Sequence, residues 1–309
     1  MKTAKYFLKF LIVFIVSYYL IYSILLLIPI KGKPILKILK SEMIWSRDLF
    51  ELTINGFPKD SNFDIQFYGS SHTYRSFDPK IFENAGYICY NWGSSSQTPK
   101  NTLALIEEYS RNTSNIILEV YPINFTLAGT ECAWDMIASP LSNKTILKEC
   151  LIQNDLRCWQ LFSIRPIIQK MLANTPQPSN KSFYKGYAET VDSAGKLSTY
   201  QKYTVLDSKL KMQMDYLEKI IRYCKNQNKN LILVCAPVPS KLAIDGEDKW
   251  ELAITEICAK YSIQFINMLR KHNLSDENHF FDDDHLNKEG VRIFNDTLIN
   301  IFEKRKLLK

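Results

Sequence analysis

Asp64-Ile65-Gln66-Phe67-Tyr68-Gly69-Ser70-Ser71-His72 is the stretch on which the fold turns. A short β-prone run, DIQFY at 64–68, feeds directly into glycine and two hydroxyl residues, as a strand does when it ends in a tight turn. Outward from it the same unit recurs. Tyr87–Tyr90 ends in Asn-Trp-Gly. Asn115–Val120 (NIILEV) and Asn230–Ala236 (NLILVCA) are nearly continuous apolar runs, and Ser262–Ile266 is a shorter fifth. Helical periodicity fills the intervals at Lys100–Arg111, Asp207–Asn228 and Lys249–Tyr261. Strands alternating with helices predict an α/β domain, a parallel sheet with helices on both faces.

Upstream, Phe10–Ile30 (FLIVFIVSYYLIYSILLLIPI) carries no charge and is long enough to cross a bilayer as a helix. Its exit, IPIKGKPILK, lacks the small residues of a cleavage site, which favours a retained single-pass anchor. Tyr18, Tyr19 and Tyr22 fall inside the run rather than at its rims. Lys2, Lys5 and Lys9 precede it and Lys31, Lys33, Lys37 and Lys40 follow, so the positive-inside rule does not choose an orientation. The expected organisation is an anchor at 1–31, a membrane-proximal connector at 32–61, and an α/β domain at 62–309. Residues 125–205 interrupt the strand rhythm with a helical stretch, Ser142–Ala173, and a Pro/Ser/Asn/Tyr-rich run, an insertion expected over the active-site face or a partner surface.

The 309 residues are 46% hydrophobic and 23% charged, a globular balance. The net charge of +7 is spread along the chain without a dense basic block, which argues against nucleic acid as a partner. Seven cysteines form no CxxC pair and no zinc-like spacing with histidine. Cys89, Cys224, Cys235 and Cys258 sit in strand-like or helix-like runs that bury them. Cys132, Cys150 and Cys158 share one segment, where a disulfide is an option for an exported domain. No motif calls for a cofactor or metal, and the acidic run near the C-terminus lacks the glycine and late glutamate of a calcium loop.

Two blocks carry chemistry. Ser71 follows a strand, where a side chain faces the ligand crevice of an open parallel sheet, and the helix after it would aim free N–H groups at an oxyanion. A turn rich in Gly and Ser reads the same way locally. The G-x-S-x-G elbow of α/β-hydrolases is absent. The second block is His279-Phe-Phe-Asp282-Asp283-Asp284-His285-Leu-Asn-Lys-Glu-Gly290. Asp282 and His285, three apart, are neighbours across a helical turn. The carboxylate can hold one imidazole nitrogen while the other faces a serine. A solvated loop capping a last helix at Gly290–Phe302 is the alternative. Asp283 and Asp284 leave the register of the acid open. His72 suits substrate contact, a helix start or packing, and His272 and His279 suit the surface. Tyr184, Tyr187, Tyr200 and Tyr203 suit sugar stacking or satellite packing.

Gly-x-Ser after the first domain strand, with Asp-x-x-His before the last helix, resembles the SGNH/GDSL hydrolase superfamily over roughly residues 62–302. The resemblance implies a flavodoxin-like three-layer sheet with Ser71 as nucleophile, His285 as base and Asp282 as orienting acid. It also implies an oxyanion hole from the serine N–H, a glycine after the second strand (Gly93) and an asparagine after the third. Asn91 is a turn candidate beside Gly93. The third block departs from the family's Gly-x-Asn-Asp: Glu119-Val-Tyr-Pro-Ile-Asn124-Phe stands there, with Asn124 either the substitute or a loop or cap asparagine.

The GSSH form, the anchor and the closing DxxHLN-x-x-G are most similar to membrane-bound SGNH-like proteins of bacterial envelope modification, such as the D-alanyl transfer protein of teichoic acids and the alginate O-acetylation proteins. That similarity implies an esterase or O-acyltransferase acting outside the cytoplasm on acyl groups of cell-envelope glycans. It implies an acylated glycan or acyl carrier as substrate, and a multi-span acyltransferase as a candidate partner. The competing readings are a catalytically silent scaffold of the same fold, a membrane-anchored lipase, and a tethered binding module.

Overall fold

The computed structural model describes residues 2–30, 33–34, 43–172, 183–190 and 202–309. Five strands form one sheet: β1 (Phe63–Tyr68), β2 (Cys89–Asn91), β3 (Thr113–Glu119), β4 (Asn230–Cys235) and β5 (Gln264–Asn267). The spatial order is β2-β1-β3-β4-β5, and every pairing is parallel. This is the flavodoxin-like order. The chain steps to one side of β1 for β2 and to the other side for β3, which opens a crevice beyond the carboxyl ends of β1 and β3.

The helices follow in chain order as α1 (Lys2–Leu27), α2 (Met43–Gly56), α3 (Ser71–Ser76), α4 (Pro79–Asn84), α5 (Pro99–Tyr109), α6 (Thr130–Ala138), α7 (Asn143–Gln153), α8 (Leu156–Leu172), α9 (Asp207–Asn226), α10 (Glu247–Tyr261) and α11 (Lys288–Arg305). Side chains alternate across the sheet with the period of two that a pleated strand imposes. Ile65, Phe67, Ile117, Ile232 and Val234 meet Phe82 of α4 and Val291, Phe294, Leu298 and Phe302 of α11 on one face. Tyr68, Ile116, Leu118, Leu231 and Leu233 join the core of α5, α9 and α10 on the other. Both faces are therefore dry, which is why the strands read as apolar runs rather than as alternating ones.

Differences from the sequence reading have local causes. The helical stretch expected from Ser142 is two helices, because Asn154 adopts the left-handed conformation (φ 50°) and closes α7. The last helix starts earlier than Gly290, since Asn287 accepts a hydrogen bond from the Gly290 amide as its N-cap (3.0 Å). β5 starts later than Ser262, which itself is the left-handed cap of α10. All seven cysteines are buried free thiols, so Cys132, Cys150 and Cys158 pack as apolar residues rather than as a disulfide. Part of the Pro/Ser/Asn/Tyr-rich run, Tyr200 included, lies outside the described residues.

Candidate active site

β1 ends at Gly69, whose φ of +141° suits glycine alone among the residue types. A Cβ there would meet Thr73 Oγ1 at 2.5 Å and Glu119 Cβ at 2.8 Å, because the turn passes directly under the end of β3. Gly69→Ala is expected to cost at least about 1–3 kcal/mol from backbone strain alone, read as a lowered Tm in thermal unfolding. An unchanged Tm would mean the turn relaxes without penalty. Ser70 then caps α3, its hydroxyl accepting from the His72 amide (3.2 Å) and donating to Glu119 Oε2 (2.9 Å). Ser71 is the first residue of α3 and is partly accessible. Among the described residues its amide N–H has no hydrogen-bond acceptor.

The loop ahead of α11 brings the other two groups. Phe281 N–H donates to the His285 carbonyl (2.8 Å), and Phe280 and Leu286 form an antiparallel bridge, so the loop is clasped at its base. Inside it Asp282 Oδ1 accepts from the amides of Asp284 (3.1 Å) and His285 (2.8 Å). The three-residue spacing is thus realised in an Asx-type turn and not in a helical turn. His285 Nε2 lies 2.8 Å from Ser71 Oγ, and His285 Nδ1 lies 2.9 Å from both Asp282 carboxylate oxygens. Residues 214 positions apart in sequence are joined here by one hydrogen bond.

A second carboxylate shares that imidazole. Asp284 Oδ1 is 2.8 Å from His285 Nδ1, and Asp284 Oδ2 is 3.5 Å from His72 Nε2 and accepts from the Tyr121 hydroxyl at 3.4 Å. Burial alone would lower the His285 pKa, but Asp284 and Asp282 outweigh it and carry the imidazole up to about 10. Burial works in the opposite sense on the two carboxyls, and the imidazole overcomes it, holding Asp282 below and Asp284 well below the usual carboxylate range. Asp284 is therefore a second acid of the site, hidden in sequence by the adjacency of three aspartates.

Behind this group lies a layer in which Gly69 and Ser70 meet Glu119. Glu119 is fully enclosed at the end of β3. Burial raises its pKa against the pull of nearby His72 and of the Ser70 hydrogen bonds. His72 is 1% exposed, its ring 3.8 Å from that of Tyr121 and 4.8 Å from that of His285, and among the described residues neither of its nitrogens has a hydrogen bond. It is the second residue of α3 and packs inside the site, as the helix-start and packing readings expect. His72, Asp284 and His285 offer ligand atoms within 4.8 Å of one another, a donor set of the metal-binding kind.

The remaining candidates separate. Gly93 packs against α3, where a Cβ would meet the Tyr74 amide nitrogen at 2.5 Å, but its own N–H donates to Asn91 Oδ1 (2.9 Å). Asn91 is a buried clamp, its amide donating to the Thr73 and Phe77 carbonyls, both at 2.8 Å. Asn124 lies in the 3-10 turn Pro122–Phe125 after β3, is 6% exposed, and its side chain has no hydrogen bond among the described residues. His272 and His279 hold loop backbone, accepting from the Leu274 and Ser275 amides. Tyr187 is core and Tyr184 donates to Glu83. Tyr203 is close enough to Asp284, Asp283 and Asp282 for their charges, after burial, to raise its pKa.

No protein-family model matches the chain, and no curated protein matches it. Among solved structures it is similar to a GDSL-like lipase from Bacteroides thetaiotaomicron, with 12% identity over 83% of this chain and 99% of the lipase and a TM-score of 0.44. It is also similar to the psychrotrophic esterase EstA from Pseudoalteromonas, with 9% identity over 78% and 97% and a TM-score of 0.39. The likeness is one of fold.

Proposed function

We propose that this protein is a membrane-anchored serine hydrolase of ester bonds that works through an acyl-enzyme on Ser71. The observation that carries the reading is the 2.8 Å contact of His285 Nε2 with Ser71 Oγ, made while Asp282 holds the opposite ring nitrogen. In the first half-reaction Ser71 Oγ attacks the acyl carbonyl and its proton passes to His285 Nε2. The unpartnered Ser71 N–H receives the developing oxyanion, and the leaving alkoxide departs with the proton from His285. An incoming hydroxyl, from water or from a sugar, then gives its proton to His285 and takes the acyl group as the bond to Ser71 Oγ breaks, and His285 returns the proton to Ser71. Asp282 orients the imidazole and offsets its charge throughout.

The finer reading is O-acyl transfer or ester hydrolysis on cell-envelope glycans outside the cytoplasm. It is supported by the N-terminal helix, of which Thr3–Leu25 is long and apolar enough to span a bilayer, and by the double-displacement chemistry that an acyl-serine allows. A second reading, a silent scaffold, is favoured by one specific observation: the Gly93 N–H is occupied by Asn91, which leaves the oxyanion fewer donors.

The test is intact mass of the full-length protein in detergent after exposure to a fluorophosphonate. A single adduct is expected, absent in Ser71→Ala. A folded protein that takes no adduct at Ser71 supports the scaffold instead. If the adduct forms, release of acetyl or aminoacyl groups from O-acylated glycans tests the finer reading. Turnover of only simple lipid esters would sink it.

A further inference from the structure

Tyr19, inside the apolar run of α1, has a structural reason. The Tyr19 hydroxyl donates to the Trp159 carbonyl (2.7 Å) and its oxygen lies 2.5 Å from Ser163 Oγ, both on α8. Ser23, one helical turn further on, is only 6% exposed. Tyr19 and Ser23 therefore form a stripe at i, i+4 by which the second half of α1 lies on the folded domain, while Leu20, Ile21, Ile24 and Leu25 point away and are exposed.

This contact conflicts with a domain held clear of the bilayer. The apolar segment Thr3–Leu25 has 23 residues, about 34 Å at ~1.5 Å each, enough for the ~30 Å hydrocarbon core. The part before Tyr19 reaches only about 24 Å. For α1 to cross, the bilayer has to extend past Tyr19, and it then meets the helix to which Tyr19 is bonded.

That neighbourhood has the surface for it. Leu147 and Leu151 share a face of α7 at 39% and 68% exposure, and Leu156 opens α8 at 68%. Lys144, one turn before Leu147, and Arg157, next to Leu156, bring cations to this exposed surface, where they pair with Glu108 (3.5 Å) and Asp155 (2.6 Å). Projecting leucines beside surface cations characterise helices that lie in a membrane interface. Resting on the reading of α1 as a membrane helix, we propose that α7 and α8 seat the domain in the headgroup and upper acyl region of the same phospholipid bilayer. The domain is then a monotopic body fixed to its anchor, not one swinging on a tether.

The native cysteines are buried, so single added cysteines can be spin-labelled selectively in the full-length protein. In nanodiscs of phosphatidylcholine and phosphatidylglycerol, labels at Leu151→Cys and Leu156→Cys are expected to collide with oxygen and be shielded from a nickel chelate. A label at Leu252→Cys, exposed on α10, is expected to show the reverse. Val13→Cys on α1 reports separately on the anchor. Val13→Cys in lipid with Leu151→Cys and Leu156→Cys in water overturns the seating and leaves the anchor standing. Val13→Cys in water removes the anchor and, with it, this proposal.

Discussion

Replacing His285 by alanine lowers the rate of fluorophosphonate labelling at Ser71 by about 10²–10⁴-fold, the span over which a positioned general base acts. The reasoning is geometric. Among the described residues His285 Nε2, at 2.8 Å, is the one side-chain partner of Ser71 Oγ and the group placed to take its proton. Asp282 cannot substitute, since its Oδ1 already accepts two backbone N–H groups of its own turn and sits on the far side of the ring. Asp282→Asn should lose less than His285→Ala: the turn survives, Asp284 still engages Nδ1, and the imidazole keeps a carboxylate. A Tm within a few degrees of wild type is needed beside each rate, because removal of the ring takes away the imidazole that Asp282 and Asp284 share. Equal labelling of wild type and a folded His285→Ala would refute base catalysis here and leave Ser71 as a merely accessible hydroxyl.

Sequence alone locates the strands well, because a strand dry on both faces writes itself as an apolar run: NIILEV and NLILVCA align with β3 and β4 almost residue for residue. It cannot supply the neighbour order. That β3 pairs with β1 and not with β2 depends on side chains from both faces finding α5 and α11, which no local pattern encodes. The site divides in the same way. Ser71 and His285 stand out because each follows a recognisable break, a strand end and an acidic turn before a helix. Asp284 does not stand out, since its role comes from a loop that folds back so that residues 282 and 284 both reach one nitrogen. Glu119 is harder still. In sequence it marks a departure from a family block. In space its carboxylate fastens Ser70 beneath the nucleophile, and the φ of Gly69 exists to let it approach.

Two carboxylates on one imidazole should also set the pH at which the protein acts. A general base works unprotonated, and His285 is carried up to about 10 by Asp284 and Asp282. Labelling of Ser71 is therefore expected to rise about tenfold per pH unit from neutrality and to level only near pH 10. For stability the sign is opposite. A histidine whose folded pKa exceeds its unfolded value near 6.5 contributes stabilisation that is complete below that value and is lost as pH climbs through about 10. The lowered pKa values of Asp282 and Asp284 act at the other end, their contribution fading as pH falls through the folded values. The array is thus held together most strongly where it is least reactive. Asp284→Asn removes one of the two charges while Asp282 still orients the ring, so the midpoint of the labelling profile should move down. Each unit of that shift raises labelling at neutral pH about tenfold relative to the variant's own plateau. A substrate carrying a cation, or a partner that drew Asp284 onto His72 at 3.5 Å, would have the same effect in the intact protein. A wild-type profile already level at pH 7, or an Asp284→Asn profile superimposed on the wild-type one, would show that Asp284 does not govern the base.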